Sequence, residues 1–335
     1  MEKHFSKRTA PPARSAQEII SAIKELKIQG ARRVAKAAVD AIIWQIRNSR
    51  ATTVDKFHEE ILALVLELEK TRPTEPMMRN SLRTTLRFIL SWLNLNQKED
   101  LEKLKSQLLK FENNLLDLMD QEIEKLAQIG ASAIKDGSKI LVHCHSTSVV
   151  KILQNCYDQN KNIEVSCLET RPLFQGRLTA RELAEYGIKT NLYVDGAVGS
   201  IIQKHDLVLV GADAITAEGD LINKIGTYTL AQVAKLNQVK FFSAAEIFKY
   251  DPLTKFGIDE VIEQRDVLEV WGNGLYQKEQ SQEIPIPQNL QVFNPSFDRT
   301  PAAFISAYIT EEGLIPPQLM AFIAEKKLRV ARGEY

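Results

Sequence analysis

A thiol and a carboxylate stand at matching points of two apolar runs. Cys144 closes Leu141-Val142-His143-Cys144, and Asp213 follows Leu207-Val-Leu-Val-Gly-Ala212. Continuous apolar runs of this length suit parallel strands buried on both faces. In an open parallel sheet, ligands bind beyond the carboxyl ends of the strands. The spacing therefore predicts that Cys144 and Asp213 project into one crevice, as a pair suited to acid–base chemistry with no cofactor. Cys144 precedes a predicted helix from Ser148, and His143 and His145 flank it. A helix N-terminus and neighbouring histidines both favour thiolate. Taken singly, a free cysteine is most often a small core residue, and an aspartate after a strand is most often a cap or turn. Cys156, in mid-helix, and Cys167, inside a strand, read as packing residues.

Other residues suit anions. Asn223-Lys224-Ile225-Gly226-Thr227 opens a predicted helix, so an amide, an ammonium and free backbone N–H groups converge there. Glu169-Thr170-Arg171-Pro172 and Gln175-Gly176 follow another strand end, and Arg171 either grips a phosphate or pairs with Glu169. Lys249 lies just past the last regular strand. Nearer the start, Gln29-Gly30-Ala31-Arg32 is a second glycine turn that opens a helix, and Arg72-Pro73-Thr74 is a rigid turn carrying a guanidinium. Either suits a phosphate, and either also suits a surface or ion-pair role. No cluster of ligand residues calls for a metal.

The elements that must position these groups fall into two textures. Up to residue 130 the chain has little glycine, and its apolar residues recur at helical spacing: Ile19, Ile20, Ile23 and Leu26, then Val34, Ala38 and Ile42, then Leu64, Val65 and Leu68, then Leu82, Leu86 and Ile89. Glu99 to Ile129 reads as one long helix. Residues 1–130 are therefore expected to form a helical domain. From Asp136-Gly137 onward short runs alternate with helical stretches. The runs are Lys139–His143, Ile163–Leu168, Thr190–Val194, Leu207–Val210 and Val239–Ser243. The helical stretches are Ser148–Asn160, Thr179–Tyr186, Ala197–Gln203 and Thr227–Asn237. That alternation predicts an α/β domain over 131–335, Rossmann-like, with a mostly parallel sheet. The dinucleotide fingerprint of glycines after the first strand is absent. Gln277 to Gln288 reads as a polar surface loop.

Composition narrows the classes. The chain has 335 residues, with 43 basic and 43 acidic side chains. That balance gives no support to a nucleic-acid surface. Three cysteines without framework spacing point to a reducing, cytoplasmic setting. Neither a signal peptide nor a transmembrane helix is expected.

Several strings together closely resemble one superfamily: Glu169-Thr-Arg-Pro-Leu-Phe-Gln-Gly176, Gly211-Ala-Asp213, Ile222-Asn-Lys-Ile-Gly-Thr227, Asn294-Pro-Ser-Phe-Asp-Arg-Thr-Pro301 and Ile309-Thr-Glu-Glu-Gly313. It contains the regulatory subunits of translation initiation factor 2B, methylthioribose-1-phosphate isomerase and ribose-1,5-bisphosphate isomerase. The resemblance runs from about Ile19 to Pro317 and implies Cys144 and Asp213 as the catalytic pair of the isomerases. His143-Cys144-His145-Ser146 resembles the bisphosphate branch, where the methylthioribose branch typically reads Cys-Asn-Thr-Gly. Lys249 matches a phosphate-binding lysine of the bisphosphate enzymes.

The resemblance thus implies conversion of ribose 1,5-bisphosphate to ribulose 1,5-bisphosphate. Gln29, Gly30, Ala31, Arg32, Arg72, His145, Ser146, Arg171, Gln175, Asn223, Lys224 and Lys249 would hold the sugar phosphate, with Asp213 as acid and Cys144 thiolate as base. It further implies a homo-oligomer, dimer or hexamer, and activation by AMP. Two alternatives stay open, a non-catalytic initiation-factor-like regulatory subunit and a methylthioribose-1-phosphate isomerase. Gln29 bears on the choice, because the isomerases usually carry arginine there, whose charged fork glutamine lacks. The turn Asp195-Gly196-Ala197 also departs from the family, which more often has serine in its middle.

Overall fold

The structure, a computed structural model, describes residues 15–95, 100–272 and 285–331. Residues 277–284 of the expected polar loop lie outside the described residues. The chain forms two compact units, one reaching to Met119 and one running from Asp120 to Val330.

The first unit is helical: α1 (Ala16–Lys24), α2 (Ala31–Asn48), α3 (Val54–Thr71), α4 (Pro76–Leu95) and the first part of α5 (Leu101–Ala133). Ser15 and Thr53 accept the backbone N–H three residues on and so cap α1 and α3. Gly30 precedes α2 with φ +88 and gives it no side-chain cap. The apolar stripes read from the sequence are buried, among them Ile23, Val34, Ile42, Leu68 and Leu82. The division between the units falls inside α5, which carries the helical texture past its own last turn of the first unit.

The second unit begins with the remainder of α5 and continues through β1 (Lys139–His143), α6 (Thr147–Asp158), β2 (Glu164–Leu168), α7 (Gln175–Tyr186), β3 (Lys189–Tyr193), α8 (Val198–Ile201) and β4 (Leu207–Val210). Then follow β5 (Ala214–Ile215), β6 (Leu221–Lys224), α9 (Thr227–Leu236), β7 (Lys240–Ala244) and α10 (Leu268–Trp271). The unit ends with β8 (Phe297–Thr300), β9 (Ala307–Thr310), β10 (Gly313–Ile315) and α11 (Met320–Ala331).

Its main sheet has the order β10-β9-β7-β4-β1-β2-β3. Every pair is parallel except β9–β10. The Rossmann-like α/β class expected from the sequence is the class observed. The five parallel runs read from the sequence form strands within one residue at each end. Ala197–Gln203 is instead a chain of short 3₁₀ and α turns. β5, β6 and β8 make a second, small antiparallel sheet that periodicity does not reveal, because its strands are two to four residues long. The sheet's core is lined by Ile140, Val142, Val165, Leu207 and Leu209, with Ile152 and Leu153 of α6 packed over it.

A buried charge network ties the far edge of this sheet. Lys327 on α11 meets Glu122 of α5 at 2.6 Å and Glu312 at 3.1 Å, and it also meets Glu311. Glu311 in turn accepts the backbone N–H of Ile247 at 3.2 Å. Burial pushes the Glu311 carboxyl up to about 7, against the opposing pull of Lys327.

Candidate active site

β1 lies between β2 and β4, with His143 opposite both Leu168 and Val210. Cys144, Glu169–Thr170 and Gly211–Asp213 therefore leave the sheet side by side, at its carboxyl edge. That register brings the two predicted catalytic residues together. The charge of Asp213 acts on the Cys144 thiol, as does that of Lys224.

Cys144 adopts φ +67, the left-handed region that a side chain occupies at a cost of roughly 1–2 kcal/mol. Its backbone is held from both sides. The N–H donates to Thr170 Oγ1 at 2.8 Å, and the C=O accepts from Thr179 Oγ1 at 2.9 Å. Thr170 is itself at φ +62, with its N–H bonded to Asp195 Oδ1 at 2.8 Å. The adjacent Arg171 N–H bonds to Asp195 Oδ2 at 2.7 Å.

Both histidines beside Cys144 are engaged by other partners. His143 is buried, and Nε2 lies 2.9 Å from the Ile225 carbonyl, which can only accept. Nε2 therefore carries the proton, and Nδ1 lies 3.3 Å from Thr170 Oγ1, whose own proton goes to the Leu168 carbonyl at 3.1 Å. Burial lowers the His143 pKa and keeps the ring neutral. His145 turns to α7, with Nδ1 3.0 Å from Thr179 Oγ1 and Nε2 4.0 Å from Glu182. The single Thr179 hydroxyl proton is spent on the Cys144 carbonyl, so His145 Nδ1 is the donor to Thr179.

This corrects the sequence expectation of a thiolate. Although part of Cys144 reaches solvent, its thiol is enclosed, and burial pushes its pKa up to about 11. The charges of Asp213 and Asp195 push the same way, and Lys224 opposes them. Desolvation outweighs the helix end and the histidines, because His143 is held neutral and His145 is engaged with Thr179 and Glu182.

Close packing shapes the crevice. A Cβ on Gly211 would lie 2.7 Å from Ser146 Cβ and Oγ and 4.0 Å from Asn223 Oδ1, so glycine there admits both side chains. A Cβ on Gly176 would lie 1.7 Å from the Leu168 carbonyl oxygen, so only glycine lets α7 start against the end of β2.

The second correction concerns the anion site at α9. Asp298 of β8 already occupies that helix end. Its carboxylate accepts from Gly226 N–H at 2.7 Å and from Tyr228 N–H at 3.1 Å. Asn223 Nδ2 is directed to Thr227 Oγ1 at 3.0 Å. Lys224 keeps its ammonium 4.9 Å from the centre of the Phe297 ring. Lys224 could thus meet an anion only through its side chain, because Asp298 takes the helix amides.

The remaining predicted residues are placed as follows. Glu169 pairs with Arg177 at 2.8 Å rather than with Arg171, whose guanidinium lies 5.0 Å from the Phe174 ring. Gln175 lines a small open pocket together with Lys224, Arg265 and Ser296. There its Oε1, like Ser296 Oγ, is buried without a hydrogen-bond partner. Lys249 is buried on a 3₁₀ turn after β7, its ammonium 3.3 Å from Glu246 Oε2. Ser148 Oγ, in the first turn of α6, donates to the same oxygen at 3.2 Å. In the helical unit, Gln29 Nε2 donates to the Leu26 carbonyl at 2.7 Å, and Ala31 and Arg32 are buried at the start of α2. Arg72 is buried in an ion pair with Glu75 at 3.1 Å.

Sequence reasoning missed Thr170, Thr179, Asp195, Glu246 and Asp298. Thr170, Asp195 and Asp298 lie inside quoted motifs, but their hydrogen-bond partners are distant in the chain. Among the described residues there is no group of three or more potential metal ligands, and no helix is long and apolar enough to cross a membrane.

A thiol and a carboxylate at the carboxyl edge of a Rossmann-like sheet, beside cationic side chains, define the class of site. The sequence profile of the Initiation factor 2 subunit family matches residues 27–317, and the chain belongs to that family. It is 38% identical over 304 residues to ribose 1,5-bisphosphate isomerase of Pyrococcus furiosus, covering 91% of each chain. It is 33% identical over 311 residues to methylthioribose-1-phosphate isomerase of Pelotomaculum thermopropionicum, covering 90% of this chain and 82% of that one. Among solved structures, the translation initiation factor eIF-2B of Pyrococcus horikoshii OT3 superposes with a TM-score of 0.72 at 29% identity, covering 90% of this chain and 97% of that one. These curated relatives are isomerases, and this chain is an enzyme of that class.

Proposed function

We propose that the chain is an aldose–ketose isomerase that converts ribose 1,5-bisphosphate to ribulose 1,5-bisphosphate. The observation that carries the reading is the placement of Cys144 and Asp213 at the ends of adjacent strands β1 and β4. The bisphosphate isomerase relatives support the choice of substrate.

Because the resting thiol is neutral, the reaction begins with transfer of the Cys144 proton to Asp213. Asp213, now a carboxylic acid, protonates the ring oxygen as its bond to carbon one breaks. Cys144 thiolate takes the proton from carbon two, giving an enol phosphate. Cys144 then returns that proton to carbon one while the Asp213 carboxylate takes the hydroxyl proton at carbon two. The product leaves with both residues back in the forms that began the ring opening. Lys224, whose charge acts on the Cys144 thiol, would stabilise negative charge developing on oxygen. Asn223, Ser146, Gln175 and Arg171 line the same edge of the sheet, and His145 supports it through Thr179. In the helical unit the uncapped amides at Gly30 and Ala31 suit a phosphate.

A second reading, methylthioribose 1-phosphate as substrate, is favoured by one observation: Lys249, the expected holder of a second phosphate, is engaged by Glu246. Turnover of both sugars by purified protein decides between them. A kcat/KM for ribose 1,5-bisphosphate at least tenfold above that for methylthioribose 1-phosphate supports the first reading, and the reverse ratio supports the second. No turnover of either, by folded protein, supports a regulatory subunit. AMP activation and a dimeric or hexameric assembly belong to the same proposal and are read by adding AMP to that assay and by light scattering.

A further inference from the structure

The crevice depends on a backbone conformation that the sheet does not itself supply. β1 pairing ends at His143, so the next residue has lost its strand neighbours. Cys144 is there in the left-handed region, and neither its N–H nor its C=O bonds to another backbone group. Instead, each is taken by a threonine hydroxyl from a different element. Both threonines are fully buried, and both hydroxyls are polar atoms for which a buried site needs a use.

We propose that Thr170 and Thr179 are positioning residues that clamp Cys144, fixing the direction of its thiol for proton transfer. This rests on the reading of Cys144 as the reacting group. Thr170 accepts from the Cys144 N–H, and Thr179 donates to its C=O, so the two hydroxyls act in opposite senses and cannot exchange roles. Each is anchored on its far side. Asp195 bonds the backbone N–H groups of Thr170 and Arg171, and His145 Nδ1 donates to Thr179. The Thr170 hydroxyl donates to the Leu168 carbonyl at 3.1 Å, and His143, its ring held at the Ile225 carbonyl, packs Nδ1 3.3 Å from the same oxygen. Threonine suits the task because branching at Cβ restricts χ1 and so presets the hydroxyl. Thr170 bears this branch at a positive φ, where a β-branched residue is a genuine outlier. A residue kept there against its own preference is held by its surroundings for what its hydroxyl does.

The test separates the hydroxyls from the packing. Thr170→Val and Thr179→Val keep the shape and delete the hydrogen bonds; Thr170→Ser and Thr179→Ser keep the hydroxyl. Two readouts are taken: steady-state kinetics on the sugar phosphate that the wild type turns over, and the rate of Cys144 alkylation by iodoacetamide at pH 8, mapped by peptide mass spectrometry. In the valine variants kcat should fall at least a hundredfold with KM within threefold. Release of the thiol from its enclosure should speed alkylation at least tenfold. The serine variants should stay within tenfold of wild type in kcat and threefold in alkylation. Valine variants that keep the wild-type kcat and alkylation rate overturn the proposal, as do serine variants that lose as much as valine.

Asp195→Asn covers the case in which a valine variant does not fold. It weakens the anchor of Thr170 and should move both readouts in the same direction, and an unchanged pair of readouts overturns the clamp. Cys144→Ala stands apart from all of these: turnover retained in that variant overturns the role of Cys144 itself, whereas the alkylation readout of the clamp needs no substrate.

Discussion

The Lys249 ammonium and the Glu246 carboxylate form an ion pair 3.3 Å long, with 6% and 0% of their side chains exposed. Both charges have left water, and each depends on the other. Breaking such a pair from one side leaves an uncompensated charge and costs about 3–5 kcal/mol. Glu246→Gln and Lys249→Met should each lower stability by that order. The double variant should lose less than the sum of the two. Urea denaturation of the three proteins gives the coupling, and strictly additive losses would show that the pair is not coupled.

Asp298 should give the protein a pH-dependent stability below neutrality. Burial raises its carboxyl from the usual 3.8 to about 6, partly offset by the two backbone N–H groups it accepts. A group with a raised folded pKa contributes stability that is full below its unfolded value and is lost as pH climbs through the folded one. The stability of wild type relative to Asp298→Asn should therefore fall by ~3 kcal/mol between about pH 3.5 and 6.5, at 1.36 kcal/mol per pKa unit. Denaturation at those two pH values measures it, and a constant difference contradicts the burial of this carboxyl.

Glu112 makes the same argument on the helical unit. Neither of its carboxylate oxygens has a well-formed hydrogen-bond partner, and burial raises its pKa from 4.5 to about 8, with Thr85 opposing. Its stabilising contribution is complete below about 4.5 and is lost as pH rises through about 8. Glu112→Gln should match the wild-type melting temperature at pH 5 and exceed it by several degrees at pH 9. Equal melting temperatures at pH 9 would count against it.

For the thiol, the ionisation pushed to about 11 shapes two profiles. Alkylation of Cys144 by iodoacetamide should rise nearly tenfold per pH unit from pH 7 to 10, with no plateau above the ordinary cysteine value near 8.5. Because Cys144 and Asp213 work with one shared proton, kcat/KM should show no rising limb near 8.5 over the same range. A plateau of alkylation above pH 9 contradicts the enclosed thiol.

Much of this fold is legible in the sequence where the signal is local. Leu207–Val210 and Lys139–His143 are apolar runs whose ends are marked by residues of another kind, and they become β4 and β1 with those bounds. Cys144 and Asp213 follow from them, because strand direction alone decides which end holds a ligand. The partners are not legible, because they are remote in the chain. Asp298 reaches Gly226 across 72 residues, and Ser148 reaches Glu246 across 98. The sequence shows an open helix end at Gly226-Thr227 and has no means of showing that a carboxylate from β8 fills it. The thiol pKa failed for a similar reason: proximity in sequence put two histidines beside Cys144, and only the fold shows both turned to other partners.

Lys327 is synthesised after every acid it neutralises, Glu122, Glu311 and Glu312 among them. Those acids come from α5 and from the turn between β9 and β10, so a chain without α11 leaves all three without this counter-charge. The turn that bears Lys249 leans on Glu311 through the Ile247 N–H, so it too rests on Lys327. Loss of α11 would thus be felt at the carboxyl end of β7 through a single ammonium group.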